Sequence, residues 1–182
     1  DYSKKAMDER IGKTLWGRTV QYYNELMPGE PAVIFNHSVA ASIAAAEEFK
    51  KAGIPAAHVS GDLSDSERDR RLDALESGEL KVVTSADLIG EGLDIPAISG
   101  VFMCRPTASL GLYRQQAGRG LRPAKGKDRC VIVDQVGNCF RHGLITAPIK
   151  WSLDGRAARK AANDNEPLLS VRECPSCMRP HT

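Results

Sequence analysis

The sequence predicts an α/β domain with a mainly parallel sheet flanked by helices, followed by a C-terminal tail. Short runs such as Ala32-Val33-Ile34-Phe35 and Val82-Val83 are apolar at successive positions and do not alternate with polar residues. Strands of that kind are buried on both faces, as parallel strands are. These runs alternate with helical patterns along the chain, the order that builds a parallel sheet between helices.

The elements follow in order. From about Thr14 to Met27, Leu15, Val20, Tyr23 and Leu26 fall near one face of a helix. Pro28-Gly29-Glu30 is a turn. Ala32–Phe35 is the first strand, and Ser38 caps an alanine-rich helix that Gly53 stops after Ala52. Ile54–Val59 is a second strand, and Ser64–Leu75 is a charged helix ended by Ser77-Gly78. Lys81–Thr84 is a third strand that leads into a glycine-containing loop. Ile98–Met103 is a fourth strand, then a helix, and Cys130–Val133 is the fifth. Ligands of such sheets bind at loops after the strands' carboxyl ends. That rim comprises Asn36-His37-Ser38, Ser60-Gly61-Asp62, Ser85–Asp94 and Arg105–Thr107. The expected domains are a lead-in helix over 1–30, the sheet domain over 31–150, a linker over 151–173 and a tail over 174–182.

Composition sets the class. The 182 residues are 42% hydrophobic and 26% charged with a net charge of +2, an ordinary globular balance. Charge is unevenly spread: from Cys104 to Arg129, inclusive, stand seven basic residues and one acid, Asp128. Such a face suits phosphate or nucleic acid. No run approaches the roughly 18 apolar residues of a membrane span, and no signal-peptide core is present, so a cytoplasmic setting is expected. Cys104, Cys130 and Cys139 adjoin apolar runs and read as small buried hydrophobes.

The chemistry concentrates in Gln115-Gln116-Ala117-Gly118-Arg119-Gly120-Leu121-Arg122, followed by Pro123. On a helix at about 100° per residue, Gln115, Arg119 and Arg122 share an arc of roughly 60°. Gly118 and Gly120 keep the surface between them low, and Pro123 ends the helix where the second arginine projects. Paired guanidinium forks match phosphate oxygens.

This octapeptide resembles the sixth motif of superfamily 2 (DEAD/DEAH-box) helicases. Thr84-Ser-Ala-Asp87-Leu-Ile-Gly90-Glu-Gly92-Leu-Asp94-Ile-Pro96 resembles the fifth motif and Pro31–Ser38 the fourth, with His58–Val83 as the strand–helix–strand between. Arg105-Pro-Thr107, Asp134-Gln-Val-Gly137-Asn and Arg141-His142-Gly143 are similar to the RadD-type and phage-encoded branch. The resemblance covers about Pro31–Gly143 and is to the second, C-terminal RecA-like domain. It implies a three-layer RecA-like fold and half of an ATP-dependent DNA, or less readily RNA, helicase or translocase. ATP and Mg²⁺ would be held mainly by a first RecA-like domain of the same protein, with Arg119 and Arg122 as arginine fingers. Gln115, Gly92 and Asp94 would meet the nucleotide, and Thr84, Ser38, Gly61 and Arg68 the nucleic-acid backbone. A non-catalytic nucleic-acid-binding or scaffolding module that retains the fold is the alternative.

Gly12-Lys13-Thr14 is not a phosphate-binding loop: Met7 stands where that motif needs glycine, and the polar residues before it form no strand. The chain by itself is therefore expected to be inactive as an ATPase. Cys174-Pro-Ser-Cys177 has the spacing of half a zinc site, with His181 as a candidate third ligand.

Overall fold

A computed structural model of the chain describes residues 14–86, 98–147, 171–173 and 180–181. It divides into two compact units, 1–136 and 137–182. The first contains α1 (Thr14–Leu26), β1 (Ala32–Asn36), α2 (Val39–Lys51), β2 (Ala56–Val59), α3 (Asp65–Glu76), β3 (Val82–Ala86), β4 (Gly100–Cys104), α4 (Leu110–Gly120) and β5 (Val131–Asp134). The second contains α5 (Asn138–His142) and the short strands β6 (Arg172–Glu173) and β7 (Pro180–His181), which pair antiparallel.

The five strands of the first unit form one parallel sheet in the order β2-β3-β1-β4-β5. Every residue of β1, β3 and β4 is buried, which accounts for their continuous apolar character. Successive strand residues face opposite ways, so neighbours reveal the two layers of helices. Ile34, Val82 and Phe102 face a cluster formed with Tyr23 near the end of α1, Met27 just beyond it, and Ala41, Ala45 and Phe49 of α2. Tyr23 meets Phe49 edge-on, with ring centroids 5.6 Å apart, and its hydroxyl donates to the Glu30 carbonyl at 2.9 Å. Val101, next to Phe102, faces the other layer, where Gly120 of α4 lies against it. The chain thus has the α/β RecA-like architecture. Tyr23, near the end of helix α1, is part of this core, and Val20, Tyr22 and Leu26 pack against it.

Strand and helix bounds follow the sequence pattern to within two residues, with β3 running on to Ala86 and α4 ending early. Helix α4 stops at Gly120, with Leu121 as its C-cap, two residues before the predicted end. Pro123 has no N–H to continue the ladder and disfavours helix at Arg122, and Lys127 donates to the Gly120 and Arg122 carbonyls at the helix end. Arg122 therefore projects from a turn beyond the helix.

Candidate nucleotide and nucleic-acid site

All five strands run the same way, so the loops after them share one edge. Ser38 sits there as the N-cap of α2, its hydroxyl accepting from Ala41 N at 3.2 Å. Gly61, past the end of β2, is exposed; a Cβ there would meet nothing within 4 Å, and its backbone is not left-handed. The fold itself gives no reason for glycine at 61. Arg68 lies in the first turn of α3 and bonds Asp65 at 2.6 Å, an ion pair with the carboxylate largely in solvent. Such a pair is weak and easily exchanged for another anion. After β4, Thr107 Oγ1 accepts from Ser109 N at 3.0 Å, and Ser109 caps α4 by accepting from Leu112 N at 3.2 Å.

Thr84 does not join this rim, which corrects the expectation of a nucleic-acid contact. The strand runs two residues past it, and Thr84 is fully buried in mid-sheet. Its hydroxyl donates to the Ser42 carbonyl at 2.7 Å and accepts from the Ser42 hydroxyl at 3.0 Å. Ser42 Oγ also lies 2.7 Å from His58 Nδ1. Each hydroxyl has one proton, and both are already directed, so the imidazole donates from Nδ1. Burial and the nearby Arg71 cation hold the His58 pKa below its ordinary value. Arg71 in turn donates to the His58 carbonyl and to Glu67 Oε1 at 2.7 Å. Arg70 grips the same carboxylate with two bonds of 2.9 Å. Hydrogen bonds from Arg70 and then Arg71 push the Glu67 pKa down to about 2.

Helix α4 starts at the rim and runs back across the sheet, because it connects two parallel strands. At about 1.5 Å per residue, Arg119 lies roughly 14 Å along the axis from Leu110. The arginines therefore stand apart from the rim loops, at the far end of the helix. Gln115 and Arg122 are exposed and Arg119 partly so, while Tyr113, Gln116, Ala117 and Gly120 point inward. The two glycines of the motif divide the same way. A Cβ on Gly120 would lie 2.4 Å from Cys130 Sγ and 2.6 Å from Val101 Cγ2, so close packing demands glycine there. A Cβ on Gly118 would meet nothing within 4 Å. Low relief beside two outward guanidiniums is what a polyphosphate fits.

Gly92 and Asp94 fall in the segment 87–97, outside the described residues, as do Cys174 and Cys177. For His181 only the backbone is described, in the strand that pairs with Arg172–Glu173. Among the described residues no group of three or more His, Cys, Asp or Glu side chains is placed to hold a metal. Two residues emerge that the sequence did not single out. Gln116 is fully buried, and neither atom of its carboxamide has a hydrogen-bond partner among the described residues. Lys127 bonds the carbonyls of Gly120 and Arg122, the latter at 2.8 Å. A basic residue just past a helix end was the available signal for it.

Comparison with known proteins fits this arrangement. The model of the family described as "Helicase conserved C-terminal domain" matches residues 17–124. The chain belongs to that family. It is a C-terminal RecA-like domain of the superfamily 2 helicase class. A 51.5 kDa protein of a Lactococcus phage (isolate 7-9) is 36% identical over 179 residues, 97% of this chain and 39% of that protein. IRC3 of Saccharomyces cerevisiae is 38% identical over 100 residues, 55% of this chain and 14% of that protein. The solved C-terminal domain of the DEAD-box protein Dbp5 superposes with a TM-score of 0.59 at 26% identity, covering 68% of this chain and 70% of that one. The chain thus spans about two-fifths or less of the curated relatives named here. No helix among the described residues is long and apolar enough to cross a membrane.

Proposed function

We propose that this domain is the C-terminal motor half of an ATP-dependent helicase or translocase, acting on DNA or, less readily, RNA. Its Arg119 and Arg122 serve as arginine fingers on a nucleotide held mainly by a partner RecA-like domain. The observation behind this is the outward row on α4: Gln115 and Arg119 one turn apart, open space at Gly118 between them, and Arg122 just beyond. The name of IRC3 includes "ATP-dependent helicase", which favours the same reaction.

ATP supplies the phosphoryl group, and this chain's residues act on the charge that develops as it transfers. Guanidiniums fixed at the γ-phosphate stabilise that charge, an effect of roughly 10³–10⁵ in rate, or about 4–7 kcal/mol of barrier. Gln115 helps orient the phosphate, and Gly92 and Asp94 approach the nucleotide. Ser38, Gly61 and Arg68 hold the nucleic-acid backbone at the rim, so binding weakens steeply with salt. The same domain thus senses the nucleotide through its arginines and shifts its grip on the strand through Ser38, Gly61 and Arg68.

The test uses the intact two-domain protein. Arg119→Ala is expected to lower nucleic-acid-stimulated ATP turnover by about 10³-fold or more while ATP binding is retained. Turnover near the wild-type rate would remove the finger role.

A further inference from the structure

Arg119 is aimed by its helix, but Arg122 is not. Helix α4 ends at Gly120, and Arg122 lies past its C-cap Leu121, outside the helix. The last carbonyls of a helix also lack intrahelical donors. In this chain one side chain answers both problems. The Lys127 ammonium donates to the Gly120 carbonyl and, at 2.8 Å, to the carbonyl of Arg122 itself. The two bonds bracket Leu121-Arg122 and fix the peptide unit before Leu121 and the one after Arg122. A cation is also favoured at the negative end of the helix dipole.

The lysine is itself held in place by the loop. Its backbone N–H donates to the Ala124 carbonyl at 3.2 Å, and the chain turns at Gly126 with φ +78°, a conformation that suits glycine. The segment 120–127 is thus a closed loop with the ammonium on its inner side and Arg122 projecting from its exposed part. A lysine that only capped the helix would need no bond beyond Gly120. The second bond reaches two residues further, to the residue whose aim matters.

We propose that Lys127 is a positioning residue for Arg122, locking the main chain that presents this guanidinium to the γ-phosphate. The inference rests on the finger role of Arg122. A reacting geometry displaced by about 1 Å loses on the order of 10²-fold in rate, so even partial relaxation of the loop is felt.

The experiment uses the intact two-domain protein and measures ATP turnover, KM for ATP, and affinity for ADP alone and for ADP with aluminium fluoride, a mimic of the transferring phosphoryl group. Lys127→Met is expected to lower kcat about tenfold, within the loss that misplacement brings, with KM and ADP affinity unchanged. Affinity for the mimic falls by the same factor. Lys127→Arg, which keeps a cation able to span two carbonyls, restores most of both. Combined with Arg122→Ala, Lys127→Met adds nothing further, since the lysine acts only through that arginine. A defect in folding alone would change the active fraction and the melting temperature, not the affinity for the mimic. Should Lys127→Met fail to fold, Lys127→Gln carries the same expectations.

The failures are distinct. If Arg122→Ala leaves turnover and mimic affinity at wild-type values, the finger role falls and takes this inference with it. If Arg122→Ala abolishes them while Lys127→Met changes neither, or weakens the mimic equally with and without Arg122, only the lysine's role is overturned.

Discussion

The relay beneath α2 and the row on α4 are built from comparably polar side chains, yet their surroundings differ. Thr84, Ser42 and His58 close on one another: each hydroxyl proton has an acceptor, and Thr84 is wholly shielded from water. Gln115, Arg119 and Arg122 lie on the outward side of α4 or just past it, beside a glycine that nothing approaches. A buried polar group must find its partners inside the protein or destabilise it. A cation at the surface carries no such requirement, because water can solvate it. The relay is therefore part of how the sheet is held to its helix, and the row is a surface for recognition. Four substitutions test whether that division is real.

The largest change in stability is expected at the inner side of the motif itself. Gly120→Ala places a methyl group 2.4 Å from Cys130 Sγ and 2.6 Å from Val101 Cγ2. Helix and sheet must part or Val101 must change rotamer, which costs about 3 kcal/mol, the upper end of ordinary overpacking. Denaturant unfolding of the chain measures it. A loss below about 0.5 kcal/mol would show that α4 is free to lift and that its inner face is not a packed face at all.

Next is the relay. Thr84→Val keeps the shape and removes the hydroxyl, so the Ser42 carbonyl loses one of its donors and the Ser42 hydroxyl must turn to His58 Nδ1 in the other tautomer. About 2 kcal/mol of stability is lost, and the folded two-domain protein binds nucleic acid as before. Weakened binding with an unchanged melting temperature would return Thr84 to the recognition surface and break the comparison.

His58 gives a smaller, pH-dependent signal. Its folded pKa lies below the ordinary value of 6.5, because burial and then Arg71 disfavour the imidazolium, against the opposing charge of Asp62. Between those two values the unfolded chain binds more protons than the folded one, so stability is complete above pH 6.5 and falls as the pH drops toward the folded value. His58→Asn keeps a donor near Nδ1 and removes the titration. The difference in melting temperature between wild type and variant therefore shrinks or reverses from pH 8 to pH 5. A constant difference would place His58 outside the relay's energetics.

How far the sequence revealed these features depended on what each rested on. The parallel sheet was legible because both-face burial leaves a run of apolar residues with no gaps, as in Ala32–Phe35 and Val82-Val83. The shared face of Gln115 and Arg119 was legible because four residues is close to one helical turn. Thr84 misled because a β-branched threonine beside a loop motif looks the same whether its hydroxyl faces a phosphate or a serine. Its partner lies 42 positions away, and no local pattern records that. The bonding at the end of α4 was hidden for a similar reason: the cation that donates to the Gly120 carbonyl stands at 127, across a loop from the helix. The sequence also presents Gly118 and Gly120 as a matched pair. Only the register of helix on sheet separates the one that packing requires from the one it does not.

Gly118 is the finest test of the division. In the last turn of α4 with nothing within 4 Å of the added methyl, Gly118→Ala should stabilise the domain by up to about 1 kcal/mol, through higher helix propensity alone. If the outward side of α4 were ordinary surface, that gain would carry no penalty in activity. If it receives a phosphate between Gln115 and Arg119, the same methyl intrudes on the ligand, and ATP turnover of the two-domain protein falls as the melting temperature rises. The two effects moving in opposite directions would identify a glycine kept for a ligand against the preference of its own helix. A more stable protein with unchanged turnover would instead mean that the low surface at Gly118 has no part in recognition, and the site would narrow to the two arginines themselves.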